Sequence, residues 1–321
     1  MSVGTMVRGQ FPKLLALGLH KVYNDAMDTE QRELEYPHVF NEESSTSAYE
    51  QDLKMGSYGP LVEKPENTPI TYTGMMQGGD KRYIHLTYGL GVRTSKELWD
   101  DDKYNVIKQA PKALARSIRF TKEMVAWNIL NQGFSSNVTT SDGVSLFNSQ
   151  HPLLGGSSAT NIGPGLTNVI YAAGTYPNRP SVDIDLSFTA IQLATNQFER
   201  LVDAQGMPIA IRPRLLVIPP ELKFIARELL GSSGKPGSSD NDINSLLGEN
   251  LSFMVCHYTT SQGAFFMLAD KQYHYMKVFM RQAPKDSFDD DFDTDAIKQK
   301  VTMRMSAGAT DWLGTWASNG V

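Results

Sequence analysis

The sequence predicts an α+β protein, and three observations carry that class. Residues 298–307 alternate in character, with Val301, Met303, Met305 and Ala307 on one face and Lys300, Thr302, Arg304 and Ser306 on the other, the period of a half-buried strand. Residues 103–134 instead carry Tyr104, Ile107, Leu114, Ile118, Val125 and Ile129 at helical spacing. Residues 187–270 mix both periods and read as one α/β unit set between the long helix and the closing strands.

From the start of the chain, Phe11, Leu14, Leu15, Leu19 and Val22 form a helical stripe over residues 10–28, followed by the polar run NEESSTSAYEQ. This is the pattern of an arm that packs on something beyond its own domain. Residues 51–86 hold three prolines and several glycines around Ile70, Tyr72, Tyr83 and Ile84, too little apolar content for a core, and predict a long two-stranded excursion. The acidic Asp100, Asp101 and Asp102 suit the start of the long helix, which closes near Gly133. Pro111 predicts a kink or a short first helix. Residues 135–181, rich in Gly, Ser, Thr, Asn and Pro, predict a long loop of the kind used for function or inter-subunit contact.

The pattern then becomes compact. Ser187 can cap a helix running to about Gln205, with Gly206 as its stop. A strand over 215–218, a proline-initiated helix over 220–230, a glycine- and serine-rich tip over 231–239, and strands over 251–256, 264–268 and 275–280 follow.

A chain of 321 residues with 40% hydrophobic content can bury a sizeable core. Its longest apolar run, Ala264 to Ala269, falls far short of the roughly 18 residues that span a bilayer, and the first residues lack a hydrophobic signal region, so neither membrane insertion nor that secretion route is expected. Cys256 stands alone in an apolar run and excludes an internal disulfide. A net charge of −5 disfavours a protein whose main task is gripping nucleic-acid phosphates.

Catalytic and metal chemistry finds little support. The six histidines are scattered, there is no Cys-x-x-Cys, and no metal or cofactor is expected. The string from Gly231 to Pro236 has proline where a phosphate loop needs Ser or Thr. Asp289, Asp291, Asp293 and Asp295 alternate as calcium ligands can, but Thr294 and Lys300 occupy the positions of the loop glycine and the bidentate glutamate, so a solvated acidic turn is the expectation. His151 precedes Pro152 in a loop with no nucleophile motif, which predicts local hydrogen bonding and no enzyme. Lys108, Lys112, Arg116, Arg119 and Lys122 fall three or four apart on the long helix, a basic stripe that is either solvated or set against something acidic: packaged DNA, a scaffolding protein, or the 289–295 run of a neighbour.

Four strings in order give the chain a family likeness. Thr87 to Thr94 (TYGLGVRT), Pro111 to Ser117 (PKALARS), Ser141 to Leu153 (SDGVSLFNSQHPL) and the closing Gly308, Asp311, Trp312, Gly314 and Trp316 are similar to stretches of tailed-bacteriophage major capsid proteins, of the head-subunit type carried by Mu-like prophages.

That resemblance implies an N-terminal arm over 1–50, an extended two-stranded loop over 51–86, a peripheral domain from 87–181 with 271–321 and a spine helix at about 103–134, and an axial domain over 182–270. It implies a protein that assembles with itself through hexamers and pentamers into an icosahedral head shell around double-stranded DNA, in the virion, after assembly in the host bacterial cytoplasm. Further partners implied are a separate or already removed scaffolding protein, a portal and decoration or head-completion proteins, and non-specific contact with packaged DNA. Candidate assembly contacts are Lys54, Lys64, Lys81, Arg82, Lys300, Arg304, Asp311 and Trp312. Some relatives weld subunits through a lysine of the extended loop; Lys54 and Lys64 lie there, without an identified Asn or catalytic carboxylate to match. On this plan a chain ended after Gly308 keeps a foldable axial unit but forms no shells. The alternatives are a nanocompartment shell of encapsulin type and a hydrolase built on residues 187–270, the latter lacking a nucleophile and base.

Overall fold

The computed structural model describes residues 12–320 apart from 57, 59–60, 62, 73, 76, 96, 98–108, 153–174, 204–207, 236–241 and 292–295. Helix α1 (Pro12–Arg32) leads through a short helical turn to strand β1 (Asn41–Ser44). Strands β2 (Tyr49–Met55) and β3 (Gln77–Ile84) form the expected antiparallel ribbon, and β3 passes through His85 into β4 (Leu86–Thr94). Helix α2 (Gln109–Asn131) follows, then the two-residue strands β5 (His151–Pro152) and β6 (Thr175–Tyr176). The compact unit holds α3 (Phe188–Glu199), β7 (Leu215–Ile218), α4 (Lys223–Gly231), β8 (Ser252–Val255) and β9 (Phe265–Leu268). Strands β10 (Met276–Asp290), β11 (Ile297–Ala309) and β12 (Thr315–Ser318) complete the order.

Two sheets organise these elements. The first has the order β1-β10-β11-β4, with β1 parallel to β10 and the remaining pairs antiparallel. The second has the order β12-β9-β7-β8. Residues 315–318 pair with β9 in the second sheet, across the boundary at residue 270. On β11 the alternation holds through Val301, Met303 and Met305, which are 3%, 3% and 0% exposed. It fails beyond, where Ser306 and Gly308 of the second face are buried as well, because the ribbon root covers that face through His85 and Tyr83.

Helix α2 lies against the first sheet through Leu114 and Ile118, while Trp127 meets Phe40 edge-on at 5.3 Å. Pro111 is the third described residue of the helix, and the segment before Gln109, where a kink or a short first helix was expected, lies outside the described residues. Tyr104, Ile107 and Lys108 lie outside the described residues. Helix α1 runs to Arg32, longer than expected, and buries Tyr23 and Met27, with Met27 against Ala115 and Ile118 of α2. Tyr23 and Met27 thus pack within their own copy, and the polar NEES run is held as β1 by β10.

Ser187 caps α3 as the sequence indicates, its hydroxyl accepting from the Ala190 N–H at 3.2 Å. The helix ends at Glu199 rather than near Gln205, since Leu201 and Val202 are drawn into contacts with Ile209 and Pro208. The described loop after α2 is anchored in the core: Leu146 and Phe147 are fully buried, and Phe147 joins Phe134 and Phe266 at 5.0 and 5.6 Å. Cys256 is buried, and burial pushes its thiol up to about 12, the state of an inert core residue.

His274 is 2% exposed at the start of β10, where Asn41 Nδ2 donates to the carbonyls of Lys271 and His274. Burial first, then the nearby Lys271 ammonium, lower its pKa from 6.5 to about 4. Between those values the folded chain binds fewer protons than the unfolded one, so stability should fall as pH drops from 6.5 toward 4, by about 3 kcal/mol at most. Denaturant midpoints across that window should show the slope, and His274→Gln should flatten it; an unchanged slope would assign the effect elsewhere.

Candidate functional site

The closing turn is the meeting place of the strings the sequence singled out. Asp311 and Trp312, between β11 and β12, are 3% and 1% exposed. The Trp312 ring stacks on His151 with centroids 4.6 Å apart and planes at 16°. His151 is wholly buried, its Nδ1 at 2.7 Å from Asp142 Oδ2 and its Nε2 at 3.2 Å from Asn178 Oδ1. Asn178 is fixed in turn, since its Oδ1 accepts from the Asn148 N–H and its Nδ2 donates to the Leu146 carbonyl and Thr315 Oγ1.

Both His151 ring nitrogens are thus engaged, one by Asp142 and the other by Asn178. Burial would raise the Asp142 carboxyl, but hydrogen bonds from His151, Thr140 and the Val144 N–H outweigh it and lower the pKa. The His151 ring is wholly buried with both nitrogens occupied, and Asp142 is part-buried beside it. Their work is to lock the 142–151 loop onto the closing turn. Gly143, with φ of 81°, makes the backbone reversal in that loop without a side-chain penalty.

A second network roots the β2–β3 ribbon on the sheet. Lys54 Nζ lies 2.6 Å from Asp311 Oδ2, and Lys277 Nζ lies 2.8 Å from Asp52 and 3.1 Å from Glu43. Thr310 Oγ1 donates to Asp52 at 2.8 Å and sits 2.5 Å from the Tyr83 hydroxyl. His85 bridges Ser45 and Ser306 at 2.9 and 3.0 Å. Lys81 donates to Thr139 at 3.0 Å, and the Arg82 guanidinium lies 3.8 Å from the Tyr49 ring centroid. At Gly79 an added Cβ would fall 1.9 Å from the Ser141 carbonyl oxygen, a contact no side chain tolerates. A cleft of about 690 Å³ opens beside the root, between Leu53, Met55, Ile209, Tyr273 and Leu313.

Of the proposed contact residues, Lys54, Asp311 and Trp312 come together, yet inside one copy rather than on its surface. Lys81 and Arg82 are likewise engaged at the ribbon root. Lys64 and Lys300 are exposed, and Arg304 is half-buried on β11. The helical stripe divides: Lys112 is exposed, while Arg119 pairs with Glu33 and, at 3.0 Å, with Glu30, which also lies 3.8 Å from Arg116. Lys122 is 6% exposed, and desolvation lowers its pKa. Within this stripe Arg116 and Arg119 thus face Glu30 of the chain's own α1, a pairing hidden from a helix-by-helix reading. In the acidic run, Asp289 faces Lys298 across the ladder, and Asp291 lies 2.7 Å from Lys298 and 3.2 Å from Arg93; Asp293 and Asp295 lie outside the described residues.

The ribbon beyond its root carries apolar groups into solvent. Met55, Leu61, Ile70 and Tyr72 are 62%, 94%, 64% and 93% exposed. A monomer gains nothing by holding such side chains away from its core, and apolar area of this kind marks a contact surface. Sequence reasoning missed Asn178, Thr310, Asp52 and Lys277; only the concentration of Asp, Thr and Lys at both ends of the ribbon hinted at the root network.

A family model described as phage capsid protein matches residues 80–318. No curated protein sequence matches the chain. Among solved structures, a chain from Microbacterium phage Oxtober96 aligns with a TM-score of 0.55 at 8% identity, covering 90% of this chain and 91% of that one. The procapsid of bacteriophage JBD30 gives 0.54 at 14% identity, over 98% and 77% of the two chains. The capsid of Myoviridae Phage XM1 gives 0.52 at 12% identity, over 88% and 89%. At these identities the likeness is one of fold.

Proposed function

The chain belongs to the phage capsid protein family and serves as a major capsid protein of the phage head shell, and from that premise we propose that it closes through hexamers and pentamers into an icosahedral shell around double-stranded DNA. The observation that supports this reading is the ribbon: rigid at its root through Lys54, Asp52, Lys277 and Asp311, apolar and exposed beyond it. Such an element gains burial only by lying across another copy, and heterologous contacts of that kind close into rings.

In this reading residues 1–50 are the arm, 51–86 the extended loop, 182–270 the axial unit with β12 added to its sheet, and the remainder the peripheral unit. The motif around Asp142 and His151 favours the head-subunit type of Mu-like prophages. Lys64 and Lys300 are the exposed cations we assign to contacts between copies, and Lys112 is the member of the helical stripe left for packaged DNA or a scaffolding protein. Portal and decoration proteins would meet the finished shell, and assembly would take place in the host cytoplasm. The role is structural, with no catalytic step.

Electron microscopy of the expressed chain, alone or with its genomic neighbours, tests this. Shells, tubes or capsomers are the expected products. A discrete small oligomer that resists assembly under all these conditions would count against it.

A further inference from the structure

Helix α2 buries Leu114, Ile118 and Trp127 in the body of the chain and leaves a ridge on its outer side. Lys112, Arg116, Phe120 and Met124 fall four apart, so they stand one above the next along about 18 Å of the helix. All four are exposed: the Arg116 side chain is 78% accessible, and Phe120 and Met124 are 53% and 51% exposed. The ridge is thus basic at its first two positions and apolar at its last two.

Neither half is satisfied within its own copy. Among the described residues Lys112 has no ion-pair partner, and Arg116 has only Glu30, 3.8 Å away and already bound by Arg119 at 3.0 Å. At the apolar end a loop of the compact unit stands beside the helix, with the Tyr258 ring centroid 6.1 Å from that of Phe120. Asn131 of α2 fixes this loop, its Nδ2 donating to the Tyr258 carbonyl at 2.9 Å and its Oδ1 accepting from the Thr260 N–H at 3.1 Å. Phe120, Met124 and Tyr258 therefore form an apolar patch on a rigid support.

A DNA duplex offers phosphates to Lys112 and Arg116 but nothing apolar to Phe120 and Met124. An amphipathic helix with carboxylates on one part of its contact face and aliphatic side chains on the next meets all four. We propose that the ridge docks such a helix of a separate protein, carboxylates over Lys112 and Arg116, apolar side chains over Phe120, Met124 and Tyr258. This deepens the shell reading, on which it rests, by giving Lys112 a protein partner in place of packaged DNA. Rows of residues four apart are the ridges that pack into the grooves of a second helix, and about three to four turns of partner cover the length. Within this chain α4 joins exposed Phe224 and Ile225 to exposed Glu228, but its nine residues span only about 14 Å.

The test replaces Phe120 with the photo-crosslinker p-benzoylphenylalanine in the full chain, expressed with its genomic neighbours, and sequences the adduct by mass spectrometry. The expected adduct is a peptide of a different protein with Asp or Glu within a turn or two of its apolar residues. In parallel, Phe120→Ser combined with Met124→Ser, and Lys112→Glu alone, should each lower the yield of closed shells about tenfold when the neighbours are present and leave the products of the chain expressed alone unchanged. The altered side chains are exposed, and circular dichroism checks that the fold is kept. An adduct to this chain would make the ridge a contact between copies, and an adduct to DNA would make it a phosphate surface; either overturns the proposal, as do the lack of any adduct and full shell yield with both variants. Failure of the unaltered chain to form shells or capsomers would strike the shell reading instead, and the adduct would still decide the ridge.

Discussion

A chain ended after Gly308 should fail to fold its axial sheet, not merely fail to make shells. The lost segment contains β12, which pairs with β9 from Thr315↔Leu268 to Ser318↔Phe265, and two tryptophans that are each 1% exposed. Trp316 packs on Phe265 at 5.6 Å and donates from Nε1 to Gln197 on α3, while Trp312 covers His151. Truncating one buried tryptophan to alanine costs about 3–5 kcal/mol, so losing both removes an amount comparable to the roughly 5–15 kcal/mol that holds a domain together. Limited proteolysis should cut the truncated protein within residues 187–270 at rates seen for unfolded chains, and thermal scans should lack a cooperative transition. Protease resistance of that region would show that β9 can stand as an edge and that the two units fold separately.

Glu123→Ala should cost about 4 kcal/mol, the range expected when a buried, hydrogen-bonded charge is removed from its partners. Glu123 is wholly buried on α2 and accepts from the Glu35 N–H at 2.5 Å, the Tyr36 N–H at 3.1 Å and Trp127 Nε1 at 2.8 Å. Burial raises its pKa despite those three donors, which is the mark of a carboxylate held for structure at some electrostatic expense. Its removal strands three donors in a space closed by Tyr36, Phe40 and Trp127, and detaches the turn that links α1 to β1. The denaturant midpoint of the unassembled chain should fall accordingly. A loss under 1 kcal/mol would mean that water takes over the carboxylate's place.

What could be read from the sequence was local. The alternation of β11, the four apolar residues of β7 and the Ser187 cap each follow from a short window, because period and capping are properties of a few neighbouring residues. Residues 281–290 could not be read as strand, since RQAPKDSFDD holds a proline and several charges; the ladder to β11 overrides them, with its register shifting between Met280 and Lys285, around Pro284. Trp316 looked like part of the peripheral signature because its partner Phe265 lies far back in the chain. Glu123 was legible in part: it stands four residues before Trp127, and both fall on the face that also buries Ala126 and Leu130. The Asp142–His151–Asn178 lock was not legible, since Asn178 joins it from a segment whose sequence shows only turn residues.

The order of the first sheet has a temporal side. Its outer strands β1 and β4 leave the ribosome early, whereas β10 and β11, which lie between them, come last. About 180 residues separate the end of β4 from the start of β10, and at ordinary rates of synthesis their passage takes roughly 10–40 s. Throughout that interval the nascent chain displays two strand edges with nothing to hold them, and the ribbon between them has no sheet to stand on. The first sheet is thus complete only when the β10–β11 hairpin has been made and inserted between its two outer strands.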